Sequence, residues 1–413
     1  MDRNLRAMMP LFAAVFIDLF SFGLMYPVII ALFEHPAIEQ AYPVGIRGVY
    51  LSLAFSLFPL GMFFGASLLG DLSDAFGRKR TLLVCMAGLA ASYGLMVVGV
   101  QTRDLLWFLG GRLLSGLMAG TGPIAQAAMM DRSTEADRGR NMAHVVLVNC
   151  LALVSGPAAG GLLGHLDFRA PLLFALVLCA VAFAWIWHGV SPVGSRPPGG
   201  PVRLGWKKPF QIATRAWRHP AIRDLALSFF LFQLGFGIYY IYIMEFVTRS
   251  FGFSPSWLGL FSAVMGLGFV AGSTLGYARA KLWLAQDGRV AQLGLAACAV
   301  LILLAALPVG EIAEWAIGFV VAVGNLLAFV GLLTLISGAA SPEEQGWALG
   351  VSASMTALAF FLAGLLAVVL HLVPLPVLIA AGGVIVAAGI PPLRNRMRAS
   401  TALVPAPAAD TPA

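Results

Sequence analysis

Two charged residues stand inside long apolar runs: Asp18, in Phe16-Ile17-Asp18-Leu19-Phe20, and Arg112, in Gly110-Gly111-Arg112-Leu113-Leu114-Ser115-Gly116. A charge at the centre of a bilayer costs at least about 2.5–3.5 kcal/mol on insertion scales, so each should face the protein interior and find a partner there. Counted from the inner end of its helix, Asp18 lies ~14 Å deep at 1.5 Å per residue. Arg112, counted inward from the opposite end of its own run, comes within a long side chain's reach of that level. The expectation is that Asp18 carries a proton and that Arg112 pairs with it and biases its protonation. His144, at the start of a later run, is an alternative proton site because imidazole titrates near neutrality.

Other chemistries find no support. Catalysis inside a membrane needs paired acids, a Ser/His set or clustered metal ligands, and no such grouping occurs. No glycine-rich phosphate loop with a downstream lysine is present, so nucleotide drive is not expected. Cys85, Cys150, Cys179 and Cys298 all sit in apolar runs without a CxxC partner, which argues against disulfides and zinc. The chain is therefore read as no enzyme, with no metal and no cofactor. The polar and aromatic groups able to meet a ligand inside the membrane are Gln126, Asn149, Gln233, Tyr239, Tyr240, Tyr242 and Asn325. Tyr and Gln can bond a ligand while presenting mostly apolar surface. Glu245 falls near the end of its run and reads as a solvated acid or a gate. So few charged candidates imply a small molecule that is apolar, zwitterionic or cationic.

The elements that must position these residues follow from composition. Of the 413 residues 60% are apolar and only 11% charged, and mean hydropathy is +0.88. A soluble surface carries about 25% charged residues, so this chain must face lipid instead. Runs of about 20 residues, enough to cross a bilayer as helices, recur near 8–33, 46–69, 81–100, 105–129, 142–164, 171–190, 222–246, 256–278, 290–308, 312–337, 346–370 and 373–391. The first is too long for a signal peptide. With the N-terminus in the cytoplasm, all but five of the 26 Lys and Arg fall on the inner side. The exceptions are Arg47, Arg103, Arg169 and Arg249 outside, and Arg112 within a span. That asymmetry places both termini in the cytoplasm, and it accounts for the net charge of +7 without nucleic acid.

Between the sixth and seventh runs, the stretch Ser191 to Ala221 is rich in Pro and Gly. It then turns basic around Trp206, Phe210 and Trp217, as a linker ending in a short amphipathic surface helix would. It divides the chain into a six-helix bundle over 1–190, a cytoplasmic linker over 191–221 and a second six-helix bundle over 222–393. The tail over 394–413 reads as disordered. Two six-helix repeats with a long middle loop are the layout of carriers that hold their site between halves.

Three motifs go further. The loop after span 2 reads Gly70-Asp71-Leu72-Ser73-Asp74-Ala75-Phe76-Gly77-Arg78-Lys79-Arg80. It resembles the cytoplasmic signature of the major facilitator superfamily, G-x-x-x-D-x-x-G-R-[KR]-[KR]. Span 5 ends Gly156-Pro157-Ala158-Ala159-Gly160-Gly161, similar to the G-P-x-x-G-G element of the proton-driven exporters in that family. Span 1, with an acid followed by Gly23 and Pro27, resembles the first helix of tetracycline-type exporters. The resemblance extends along nearly the whole chain and implies an all-helical fold of two six-helix bundles.

On that resemblance Gly70, Asp74, Gly77, Arg78, Lys79 and Arg80 form a conformational latch, Asp74 pairing with basic residues and a helix N-terminus of the other half. It also implies that helices 5 and 8, and 2 and 11, meet across the halves. Gly156, Pro157, Gly160 and Gly161 are then expected to pack against Gly268, Gly272 and Gly276, and Gly61, Gly65 and Gly70 against Gly346 and Gly350. The implied activity is proton-driven efflux of a small organic molecule by a monomer in the inner membrane. The alternative is a proton-coupled uptake symporter or, further off, a non-transporting sensor. Spans 3 and 9 lack the intramembrane carboxylates of tetracycline exporters, and the signature repeat after span 8 is dispersed over Arg279, Lys281 and Asp287-Gly288-Arg289.

Overall fold

The computed structural model describes residues 3–191, 205–341, 344–369 and 372–402. Among them every regular element is helical. The helices are α1 (Arg3–Phe33), α2 (Pro36–Ala41), α3 (Val44–Phe76), α4 (Arg78–Thr102), α5 (Leu105–Leu117), α6 (Thr121–Met130), α7 (Glu135–Leu166), α8 (Arg169–Gly189), α9 (Lys208–Arg218), α10 (Pro220–Phe251), α11 (Pro255–Ala271), α12 (Tyr277–Leu284), α13 (Asp287–Ala305), α14 (Glu311–Gly338), α15 (Gln345–Leu365), α16 (Leu375–Ala388) and α17 (Ile390–Ala402). A π turn over Gly272–Gly276 joins α11 to α12, and a 3₁₀ turn over Leu366–Val369 follows α15. The Pro/Gly-rich part of the linker over 192–204, Pro342 and Glu343, and the tail over 403–413 lie outside the described residues.

Local signals account for the helix ends. Asp104 and Thr134 cap α5 and α7 by accepting from Leu106 N and Asp137 N at 3.0 and 3.3 Å, the usual way to satisfy an orphan amide. Proline opens α10 and α11, where its missing N–H costs nothing. Gly77, at φ +93°, ends α3 and starts α4 in a conformation that only glycine adopts without strain. This places a glycine of the loop signature at its turn.

Eleven helices among the described residues are long and apolar enough to span a membrane. The remaining predicted span, the fourth at 105–129, is interrupted. α5 ends at Leu117 and α6 begins at Thr121, and the sequence between and just after them, Met118-Ala119-Gly120-Thr121-Gly122-Pro123, holds two glycines and a proline. Pro123 has no N–H to give and the glycines weaken helix propensity, so the ladder lapses here.

Helices α1 and α3–α8 pack mainly on one another, with α1 against α7, α6 and α8, and α4 between α5 and α8. Helices α10–α17 do the same, α14 against α13 and α11, and α16 against α10 and α13. The two sets meet chiefly through α7 with α11 and through α3 with α15. The seam between them has two recognisable ends, one carrying α2 and the α10–α11 turn, the other carrying α9.

The glycines at this seam differ in part from expectation. Gly161 lies against Pro255 and Gly259 of α11, where a Cβ would sit 2.6 Å from the Gly259 Cα. Gly156 and Gly160 instead face the α1 backbone at Phe20 and Leu24, and Pro157 abuts Gly23. Gly268 and Gly272 face Phe319, Ala322, Val323 and Leu326 of α14, and Gly276 has Leu327 and Val323 of α14 within 4 Å of its Cβ position. The glycines of α11 that meet α7 are Gly259 and Gly266, both closer to its start. Likewise Gly61 and Gly65 pack on α5, Gly350 touches Ile212 of α9, and neither Gly70 nor Gly346 has a neighbour within 4 Å. Contact between α3 and α15 runs through Ser52, Ser56 and Gly364, with the two hydroxyls donating to Leu365 O and Phe361 O at 3.2 and 3.1 Å. A four-residue spacing marks a close-packing stripe but leaves its partner open.

Candidate proton and substrate site

The break between α5 and α6 puts a helix N-terminus inside the bundle. Of the first three amides of α6, Pro123 has none and those of Thr121 and Gly122 have no partner within the helix. Asp18 of α1 occupies that end. Its Oδ2 would be 2.7 Å from a Cβ at Gly122, so the carboxylate lies beside the open amides of this helix end. An anion at a helix N-terminus is bonded by free amides and favoured by the dipole. Only glycine at position 122 lets the carboxylate come so near.

Arg112 is elsewhere. Only 4% exposed, it donates from Nε to Ala54 O at 2.9 Å, and its guanidinium lies 4.9 Å from the Phe58 ring centroid. The two charges thus share one helix set, but the expected direct pair is replaced by separate partners, α6 for Asp18 and α3 for Arg112. Tyr93 of α4 stands within electrostatic reach of both. The signal for the true partner of Asp18 was present in Gly120-Thr121-Gly122-Pro123, which reads as a helix breaker.

Asp18 is also not the sole acid in the interior. Glu245 is 2% exposed rather than solvated: one oxygen is paired with Arg249, and the other has no partner. Glu314 of α14 is fully buried and neither of its oxygens is bonded. Both lie near the ends of apolar runs, where hydropathy alone places them in water. His144 is half-buried, with Phe12 edge-on at 6.0 Å.

Among the ligand candidates, Tyr240 lies at the seam. Tyr240 stands 4.7 Å from Tyr26, ring centroid to centroid, and joins α10 to α1. Phe22, Phe236 and Phe360 extend this aromatic layer to α15. Gln233 donates to Thr356 Oγ1 at 3.1 Å while its Oε1 is unbonded. The Tyr239 hydroxyl and Asn325 Nδ2 are buried without partners as well. A buried polar atom left unbonded is costly, so such groups are poised to bond a guest. Tyr242, in contrast, is satisfied by Ala363 O at 2.8 Å. Gln126 and Asn149 are half-buried on α6 and α7.

Toward the α2 end the seam holds a cavity of about 400 Å³ with Glu34, Glu39, Arg47, Glu245 and Arg249 in its wall. Burial holds the Glu34 carboxyl above its ordinary value, an effect partly offset by Arg249, whose Nε is 3.8 Å away.

At the α9 end the signature loop is tied within its own helix set. Arg78 donates to Ser73 Oγ at 2.9 Å and Asp74 Oδ1 at 2.8 Å, and reaches Asp131 at 3.4 Å. Lys79 donates to Trp187 O at 2.7 Å, and Arg80 is exposed. Asp74 therefore pairs with Arg78, and among the described residues no ion pair joins it to the other set. Connection to the other set goes through α9, where Lys208 pairs with Asp71 of α3 and Arg215 with Glu344, just before α15. Arg215 also lies 4.3 Å over the Trp347 ring.

Residues 11–364 match the family model described as Major Facilitator Superfamily. The class G tetracycline resistance protein of Vibrio anguillarum is 33% identical over 223 residues, 53% of each chain. Major facilitator superfamily domain-containing protein 10 of Mus musculus is 30% identical over 179 residues, 38% of this chain and 39% of that one. The matched segments thus span about half, or less, of these relatives' length. In structure, the human organic anion transporter MFSD10 (TETRAN) superposes with a TM-score of 0.69 at 21% identity, covering 95% of this chain and 100% of that one. The nucleoside transporter NupG gives 0.74 at 13%, covering 94% and 99%. At these identities the structural likeness is one of fold.

Proposed function

The chain belongs to the major facilitator superfamily, and on that premise we propose that it is a secondary transporter, not an enzyme, exporting a small organic molecule across the inner membrane in exchange for protons. The two helix sets, divided by the linker at 191–221, act as rocking halves around a site at the seam. Asp18 is the proton-carrying carboxyl. The observation that carries this reading is the seat of Asp18 on the N-terminal end of α6. When ionised, the carboxylate is held by the Gly122 amide and the positive helix end, and when protonated it releases them. A proton arriving there changes the bonding of a broken helix within the bundle, as a coupling step requires.

Substrate contacts are assigned to Gln233, Tyr239 and Asn325, whose polar atoms are unsatisfied. Arg112 holds α5 to α3 and contributes positive potential to the interior. Export is favoured over uptake by the likeness to tetracycline resistance proteins. The test uses inverted membrane vesicles acidified inside, with a proton-sensitive dye in the lumen and a compound panel that includes tetracycline. Substrate-dependent loss of luminal protons is expected. Accumulation driven by inward proton flow in right-side-out vesicles would establish uptake instead.

A further inference from the structure

Helix α9 is basic and aromatic on its outward side and apolar where it meets the bundle. Pro209 and Ala216 are buried, while Trp206, Phe210 and Trp217 are each more than half exposed. Lys207, Phe210, Gln211, Thr214, Arg215 and Arg218, spaced at the helical repeat, line an open recess of about 620 Å³. Only His219 separates α9 from α10, and α10 is long and apolar enough to span the membrane. This helix therefore lies at the level where the chain enters the bilayer, among the lipid headgroups. Exposed Trp and Phe beside Lys and Arg are the composition that this layer selects.

We propose that α9 carries a binding site for the headgroup of an anionic phospholipid. The phosphodiester lies in the recess between Lys207 and Arg218, with Gln211 and Thr214 as hydrogen-bond partners. The acyl chains run past Phe210 and Trp217 into the bilayer. Charge complementarity argues for this occupant: the recess is lined by three cations and no carboxylate among the described residues. The occupied site also bears on the seam, because Arg215 shares the recess with its ion pair to Glu344. The proposal does not depend on the transported substrate.

The full-length protein in nanodiscs of phosphatidylcholine with a minor fraction of phosphatidylglycerol provides the test, with bound lipid counted by native mass spectrometry after gentle release. The protein should retain phosphatidylglycerol well above its bulk share. Each basic residue near an anionic surface is worth roughly a fivefold preference, so Lys207→Gln with Arg218→Gln should cut the enrichment by about tenfold or more. The charge-preserving pair Lys207→Arg and Arg218→Lys should keep it, and an unchanged melting profile of the Gln pair in neutral detergent would show that folding is intact. Equal enrichment in the Gln variant overturns the proposal. Displacement of the lipid by free glycerol phosphate at matching concentration overturns it too, since that would mark a soluble-phosphate site.

Discussion

The two ends of the seam are held by different physics. At the α2 end, backbone meets backbone at Gly161 and Gly259, hydroxyls of α3 bond carbonyls of α15, and aromatic rings from both sets interlock. At the α9 end, a surface helix spans the two sets through the pairs Lys208–Asp71 and Arg215–Glu344, whose cations are about half exposed. Close packing in a membrane has no hydrated alternative, whereas exposed ion pairs contribute at most about 1 kcal/mol and are screened by salt. The comparison teaches that the α2 end is the sealed one and that the α9 end is a strap, easily released. Rocking must therefore undo packing at one end and only charge pairing at the other.

This contrast can be broken most severely at Gly161. Gly161→Val places carbon into the α11 backbone, which cannot withdraw. The cost should fall at the upper end of the ~1–3 kcal/mol typical of overpacking, read as a lowered melting temperature in detergent. The same change at Gly70, which has no neighbour within 4 Å, should leave the melting temperature within error. Arg249→Gln comes next. It strips Glu245 of its counter-ion and leaves a buried acid unpaired, at a cost of about 1 kcal/mol or somewhat more. Arg249→Lys should recover most of the loss.

Releasing the strap should have a smaller effect. Lys208→Gln with Arg215→Gln should lower the melting temperature little, by less than ~1 kcal/mol in stability. It should nonetheless speed thiol labelling of a Gly350→Cys reporter beneath α9, and high salt should mimic it in the parent. The smallest expected effect is the pH response of the α2 end. Since burial raises the Glu34 carboxyl, its contribution to stability is full at low pH and is lost as pH climbs through that raised range. The α2 end should accordingly loosen on alkalinisation across the carboxylate range, and Glu34→Gln should flatten that slope in a pH series of melting curves.

The helical architecture and the turn of the loop signature were legible because each rests on a one-dimensional signal: apolar run length, or Gly77 at a turn. Pairing across space was not. Gly268, Gly272 and Gly276 advertise a packing stripe, but turning from α7 to α14 takes only a rotation of α11 that no spacing records. Arg112 found a carbonyl and an aromatic face where an acid was expected, since a guanidinium can be satisfied by Ala54 O and Phe58 as well as by a carboxylate. Reading 105–129 as continuous hid the helix end that receives Asp18. Glu245 and Glu314 were hidden by neighbouring elements that cover the run ends, a tertiary fact. The most informative difference is thus local: a Gly-Thr-Gly-Pro stretch inside 105–129 breaks the helix and adjoins the interior acid Asp18.

The central claim is that Asp18, seated on the α6 N-terminus, carries the coupled proton. Its most direct test compares Asp18→Asn with the parent in two vesicle assays of a substrate found in the panel. One is transport driven by a pH gradient and the other is gradient-free exchange of labelled for unlabelled substrate. Loss of the driven transport with exchange preserved is the predicted result. Full pH-driven transport by Asp18→Asn would contradict the account.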